Sequence, residues 1–453
     1  APKEQSVNGD TIDMIRSCYS FTVAAIALAV AICSCATDYT SEMRPVTSSL
    51  RLDRPDLAIE EFRENFTDST GRNRLLYLME LGNLMRLSGD FAAAQNLLLQ
   101  ADRLSDQQRG IELGQEIEAF LSSDLALEFR GADYEKVFIN YCLAASYASE
   151  NNMEDALVEC RRVNDKLRVL NQSYEENKNR YSDDAFIRYL MGILYEKAGD
   201  LNNALIAYRN STAVYDSSYA VDYGISAPQR VRSDILRLSS ELGMQSVYQD
   251  YCARWPEMSW ENEGPDRDHG EIVVILEVGI IPPRIEKSYT FVLNDRVYRV
   301  SLPAIADKKR ESWSIILSSG NMQAQGFLAE DLAGIARKNL EDRAGRDIAR
   351  AVARLAVKAG VTEAGEQLVE ELTEENSGIA RVTGFLLSLV GAGTERADLR
   401  AWLTLPSQIF VARLRLPEGE HPVRIEVNGR TVFSDESMSI DPGEINLLFL
   451  REG

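Results

Sequence analysis

Histidine is scarce in this chain, with only His269 and His421 in 453 residues. The two are far apart, and both lie in stretches that read as loop or strand edge. A histidine metal site or a Ser-His-Asp relay would have almost nothing to be built from. Basic charge is also short: 49 Lys and Arg stand against 70 Asp and Glu, for a net −21. That field repels nucleic acid and anionic lipid headgroups, so neither is expected as a general partner. Cysteine is limited to six residues, and no apolar run reaches the roughly 20 residues needed to span a bilayer.

What is present fits a folded protein of more than one unit. A hydrophobic content of 45% with 26% charge excludes wholesale disorder, and the length predicts two or three domains. The N-terminus reads as a targeting segment. Residues 1–13 form an upstream extension, Met14-Ile15-Arg16 a short positive n-region, and the stretch from Phe21 carries no charge until Asp38. It ends in Ile32-Cys33-Ser34-Cys35, with an aliphatic residue at −3, a small one at −1 and then cysteine. This resembles a bacterial lipobox, which implies cleavage after residue 34 and acylation of Cys35. Cys33 is a poorer site because Ile32 would precede the cut, and an uncleaved anchor is the rival reading. Ala36 after the cysteine lacks the usual inner-membrane retention signal, so the expectation is an outer-membrane, periplasm-facing protein with 35–54 as its lipidated N-terminus and linker. Cys142, Cys160 and Cys252 would then meet an oxidising compartment. Cys142 and Cys160 read either as a disulfide or as small buried core residues.

Three segments of the region 55–256 share one internal spacing. Gly82, Ala144 and Gly192 each precede a bulky residue (Met85, Tyr147, Tyr195) by three positions; nine further on stands an alanine (Ala94, Ala156, Ala204), and four beyond that Leu98, Cys160 or Tyr208. Gly89-Asp90 and Gly199-Asp200 supply a left-handed helix stop followed by an N-cap, replaced in the second copy by Asn151-Asn152. The pattern resembles the tetratricopeptide repeat, whose small residues let paired helices approach closely. Residues 56–62 read as a degenerate leading copy and 232–255 as closing helices. An irregular bundle is the plainer alternative. Stacked copies would present Met79 and Asn83, Phe138 and Tyr141, and Phe186 and Tyr189 on a concave face. These six either form an aromatic groove for an extended peptide or helix, or are covered by the C-terminal half of the chain. A carboxylate clamp is not supported, because the clamp lysine and asparagine positions hold Met79/Asn83, Tyr141/Ala145 and Tyr189/Ile193.

Beyond an acidic linker, 257–270, the character changes. Ile272–Gly279 is a β-branched run, followed by strand-like 289–293, 297–303 and 313–317, with Asn294-Asp295 as a hairpin turn. Residues 327–372 take helical period (Leu328, Leu332, Ile335) and carry a cationic stretch from Arg337 to Lys358, read as a solvated face or a membrane-surface helix. Residues 377–393 are apolar and either pack against the β-rich part or dip into a membrane. Strands at 409–416, 423–427 and 445–450 close the chain. The fold class is α+β: an N-terminal tetratricopeptide-like α-solenoid followed by a β-sandwich-like domain, 271–453, with a helical insertion at 327–393. The lipobox, the repeats, the strand run at 272–278, the helix at 333–354 and the block Asp398-Leu399-Arg400-Ala401-Trp402-Leu403-Thr404-Leu405-Pro406 occur in one order. Together they resemble a family of proteobacterial outer-membrane lipoproteins with no assigned activity. The resemblance implies an envelope location and a link to lipoproteins that act on peptidoglycan synthesis, and it carries over no catalytic residues, metal or cofactor.

The function expected is a lipid-anchored scaffold that binds another envelope protein through the repeat groove or the β domain. Two alternatives remain: an envelope-polymer enzyme using paired carboxylates, with Asp266/Asp268 and Glu395/Asp398 as candidates, or a lipid-binding role for 327–393.

Overall fold

A computed structural model describes residues 39–66, 69–111, 128–172, 180–258, 268–293, 296–306, 309–343 and 397–453. The signal-like segment with Cys35, the candidates Asp266 and Glu395, the turn Asn294-Asp295 and the apolar stretch 377–393 lie outside the described residues.

The helical part begins earlier than the sequence reading placed it. Residues 39–51, expected within a linker, form α1 (Tyr39–Glu42) and α2 (Arg44–Arg51). Met43, Val46 and Leu50 recur at helical spacing on one side and are buried in the main core. Then follow α3 (Pro55–Asn65), α4 (Arg74–Leu87), α5 (Phe91–Ile111), α6 (Asp133–Ser149), α7 (Met153–Gln172), α8 (Ala185–Lys197) and α9 (Leu201–Val214). A single π-helical turn (Tyr215–Tyr219) leads to α10 (Gln229–Glu241) and α11 (Gln245–Arg254).

The paired helices are spaced by the residues that the repeat pattern singled out. A Cβ on Gly82 would come within 2.8 Å of Leu98, and one on Gly192 would overlap the Tyr208 ring. Between the members of each pair the chain turns through Gly89 (φ +84°), Asn151 (φ +60°) and Gly199 (φ +78°), the left-handed conformation that ends a helix. Asp90, Asn152 and Asp200 then accept from the backbone N–H three residues on. Asn151 therefore does in the second copy what glycine does in the others.

The C-terminal half is strand-rich. Strands β1 (His269–Val278), β7 (Gln408–Pro417), β10 (Ile445–Glu452) and β6 (Phe327–Glu330) make one sheet in the order β10-β1-β7-β6. Strands β4 (Ile315–Ser319), β5 (Met322–Gln325), β8 (Gly419–Val427) and β9 (Arg430–Ile440) make a second, ordered β5-β4-β8-β9. A ribbon of β2 (Arg284–Leu293) and β3 (Arg296–Ile305) stands apart. Leu328 belongs to strand β6 rather than to the expected helix; the helix α12, residues 332–343, starts only after Asp331 accepts from the Gly334 N–H at 3.1 Å.

Period-two alternation decides the layering. On β1, Ile272, Val274, Leu276 and Val278 face the second sheet and share a core with Ile315, Leu317, Val423, Ile425 and Val427. Val273 and Ile275 point the other way, into the core built by the repeats. Strand β7 divides likewise, with Phe410, Ala412 and Leu414 toward the second sheet and Ile409 and Val411 toward the helices. The first sheet thus lies between the helical array and the second sheet.

Candidate functional site: the repeat groove and what fills it

The six residues expected to line a groove come together and are closed off. Met79, Asn83, Phe138, Tyr141, Phe186 and Tyr189 are each 0% exposed. Their cover is the chain's own C-terminal half, so the concave face is not an open surface. Of the two readings that the sequence left standing, the covered face is the one observed. Aromatic packing is continuous from Phe138 to Tyr141 (ring centroids 5.2 Å) and from Tyr141 to Phe186 (5.6 Å), while Tyr189 meets Phe327 of β6 at 5.8 Å.

Buried polar groups fix the seal at separate points. The Tyr141 hydroxyl donates to Glu277 of β1 at 2.8 Å, and Glu277 also accepts from Arg86 of α4 at 2.8 Å and Arg451 of β10 at 3.2 Å. Burial alone would raise the Glu277 carboxyl, but the two guanidiniums hold it below its usual range. Asn83 donates to the Thr404 carbonyl at 2.9 Å. Glu80 accepts the Tyr39 hydroxyl and the Leu403 amide, both at 2.6 Å, and the Thr404 amide at 3.0 Å. Burial outweighs these donors and pushes the Glu80 carboxyl up to about 7. Trp402, fully buried beside them, donates its amide to Glu135 at 3.0 Å. The tryptophan-leucine-proline block is therefore the plug of the groove.

A second cluster sits under β7. Arg413, 0% exposed at its side chain, bonds to Glu271, to Asp234 (3.0 Å), to the Tyr208 hydroxyl (3.0 Å) and to Glu196 (3.2 Å). Arg230 joins Asp234 and Glu271, and Arg237 joins Glu196 and Asp234. Three carboxylates thus meet three guanidiniums. Burial by itself would raise Glu196, yet Arg237 and Arg413 bring it down to about 2. The Tyr189 hydroxyl donates to Asp234 at 2.7 Å.

A desolvated carboxyl pair also exists, at a place the sequence did not indicate. Asp184, the N-cap of α8, and Glu330, at the end of β6, are buried close enough for each charge to disfavour the other. Tyr181 donates to Asp184 at 2.6 Å and Tyr219 to Glu330 at 3.1 Å. Burial raises both carboxyls, Asp184 to about 6 and Glu330 well above its ordinary value. Both are 0% exposed, so the pair has no route to a polymer substrate. The candidate Asp398 is held by Arg400 at 2.7 and 2.9 Å. Cys142 and Cys160 are buried free thiols, not a disulfide. A polar cleft of about 360 Å³ lies between α7 and α8, lined by Asn164, Asn171, Asp183 and Arg188. Among the described residues no group of three or more His, Cys, Asp or Glu is placed to hold a metal, and no helix is long and apolar enough to cross a membrane.

No family model matches the chain, and no curated protein matches it. Several solved structures do. The crystal structure of MamA is 15% identical, with 48% of this chain and 94% of that one covered at a TM-score of 0.29. A putative kinesin light chain from Podosopora anserina with nearly identical TPR-like repeats is 12% identical, with 48% and 93% covered and a TM-score of 0.33. A Rap protein complexed with competence and sporulation factor is 14% identical, with 48% and 53% covered and a TM-score of 0.29. The repeat assignment rests on the chain's own geometry, on the Gly82–Leu98 and Gly192–Tyr208 contacts and the three left-handed turns between helices.

Proposed function

We propose that the protein is a scaffold of the bacterial cell envelope, tethered by lipid at Cys35, that holds another envelope protein against the outside of its β half rather than performing catalysis. The observation that carries this reading is the closed groove. Residues built to receive a partner receive β1, β7 and the Trp402 block, leaving the outer sheet as the next surface with strand edges to offer. Strand β9, 11 residues long, pairs among the described residues only with β8 and is largely exposed. An edge of that kind accepts an added strand, and its Asp435 and Glu436 discourage indiscriminate pairing.

The test has two arms in intact cells. Fatty-acid labelling of the wild-type chain against Cys35→Ala reports the tether. A photo-reactive residue at Thr431 on β9, compared with one at Ile206 on α9, reports the partner. A discrete protein adduct from position 431 alone supports the scaffold. Equal capture from both positions, or none from either, refutes it.

A further inference from the structure

The start of the described chain constrains how a tethered body would lie. Only Ala36, Thr37 and Asp38 separate Cys35 from Tyr39. Tyr39 is no free tail, since its side chain is buried and bonded to Glu80, which is itself locked to the Trp402 block. Four Cα steps of at most ~3.6 Å reach about 14 Å. An acylated Cys35 keeps its backbone at headgroup level, so α1 begins within that distance of the lipid. A body held so closely must rest one face on the membrane.

We propose that this face is the outer side of α2 and the turn that follows it, and that its occupant is a phospholipid headgroup layer. The inference rests on the lipid anchor at Cys35. Along α2, Val46, Ser49 and Leu50 point inward while Arg44, Ser48 and Arg51 are exposed. Leu52, just past the helix, is 73% exposed, an apolar side chain that water does not favour. Among the described residues neither Arg44 nor Arg51 forms an ion pair, which leaves two guanidiniums free for lipid phosphates. Across 39–56 the charges cancel, with Arg44, Arg51 and Arg54 against Glu42, Asp53 and Asp56, in a chain of net charge −21. The rest of the acidic body is repelled by an anionic surface, so the neutral segment turns toward it.

The full acylated chain, with Cys252→Ser, is reconstituted in vesicles of phosphatidylethanolamine and phosphatidylglycerol after mass spectrometry has confirmed the acyl chains. A nitroxide is placed at Leu52→Cys or, as control, at Val221→Cys, the latter site being 84% exposed and following the third repeat in the chain. On reconstitution the label at 52 should gain access to oxygen and lose access to a water-soluble nickel chelate, while the label at 221 stays as in solution. Arg44→Gln with Arg51→Gln should return the label at 52 toward its solution behaviour. An acylated chain whose label at 52 remains as water-exposed as that at 221 overturns the inference and leaves the anchor standing. A chain without acyl groups overturns both.

Discussion

Replacing Arg413 with methionine isolates the interaction that joins the sheet to the repeats. Methionine keeps much of the volume and removes the charge, so the balanced set of Glu196, Asp234 and Glu271 with Arg230, Arg237 and Arg413 is left with one uncompensated buried carboxylate. Breaking a buried pair from one side costs ~3–5 kcal/mol, a large part of the ~5–15 kcal/mol that holds a typical domain folded. In urea, with a slope of about 3 kcal/mol/M, the midpoint should fall by ~1 M or more at constant slope. The double variant Arg413→Met/Glu271→Met removes one charge of each sign and should recover most of the loss, because an apolar pair in place of a buried ion pair is often neutral or better. The cycle is decisive. If Arg413→Met loses less than about 1 kcal/mol, or if the second substitution adds to the loss, the charges are not held as a neutral set and the argument fails.

Three further outcomes are expected. Gly192→Ala drives a Cβ into the Tyr208 ring and should lower stability by ~1–3 kcal/mol, whereas Gly199→Ala, strained only by its positive φ, should lose about 1 kcal/mol; thermal melts of both check the order. The Glu80 carboxyl is held at about 7 in the fold against an ordinary 4.5. Its contribution is therefore complete below pH 4.5 and is lost as pH climbs toward 7, by an amount on the order of 3 kcal/mol. Glu80→Gln should flatten that part of the stability–pH curve relative to wild type, and an unchanged slope would contradict the assignment. Tyr141→Ala with Tyr189→Ala removes two fully buried rings and their bonds to Glu277 and Asp234. It should destabilise the chain by several kcal/mol, going by ~3–5 for truncation of a buried aromatic residue; a double variant as stable as wild type in urea would mean that the groove is open in solution.

The repeats were legible because their spacing is enforced by contact: where Leu98 and Tyr208 press in, a Cβ has no room and glycine stands, and only Gly or Asn turns easily through positive φ. Strands β1, β7 and β10 were legible as apolar runs. Strand β9 was not, since an exposed edge carrying Asp435 and Glu436 has little alternation to display. Strand β6 was hidden for a different reason. Leu328, Leu332 and Ile335 happen to fall at helical spacing, although the chain changes from strand to helix between the first and the second. The segment 39–51 carried a helical signal in Met43, Val46 and Leu50, but its proximity to the proposed cleavage point made it read as a linker.

Whether the concave face awaited a partner or the chain's own sheet could not be decided from helix periodicity, which is the same in both cases. The deciding signal lay elsewhere, in charges set within strands otherwise apolar. Glu271 and Glu277 share the helix-facing side of β1 with Val273 and Ile275, and Arg413 occupies that side of β7 opposite Val273. A buried strand does not carry such groups unless another element answers each one. Glu271 is answered from α10 and Glu277 from α4 and α6, at points about 20 Å apart along the strand at ~3.3 Å per residue. A two-residue slip of the sheet would strand both glutamates at once, so these pairs set the position of the sheet in the groove more than the strength with which it is held.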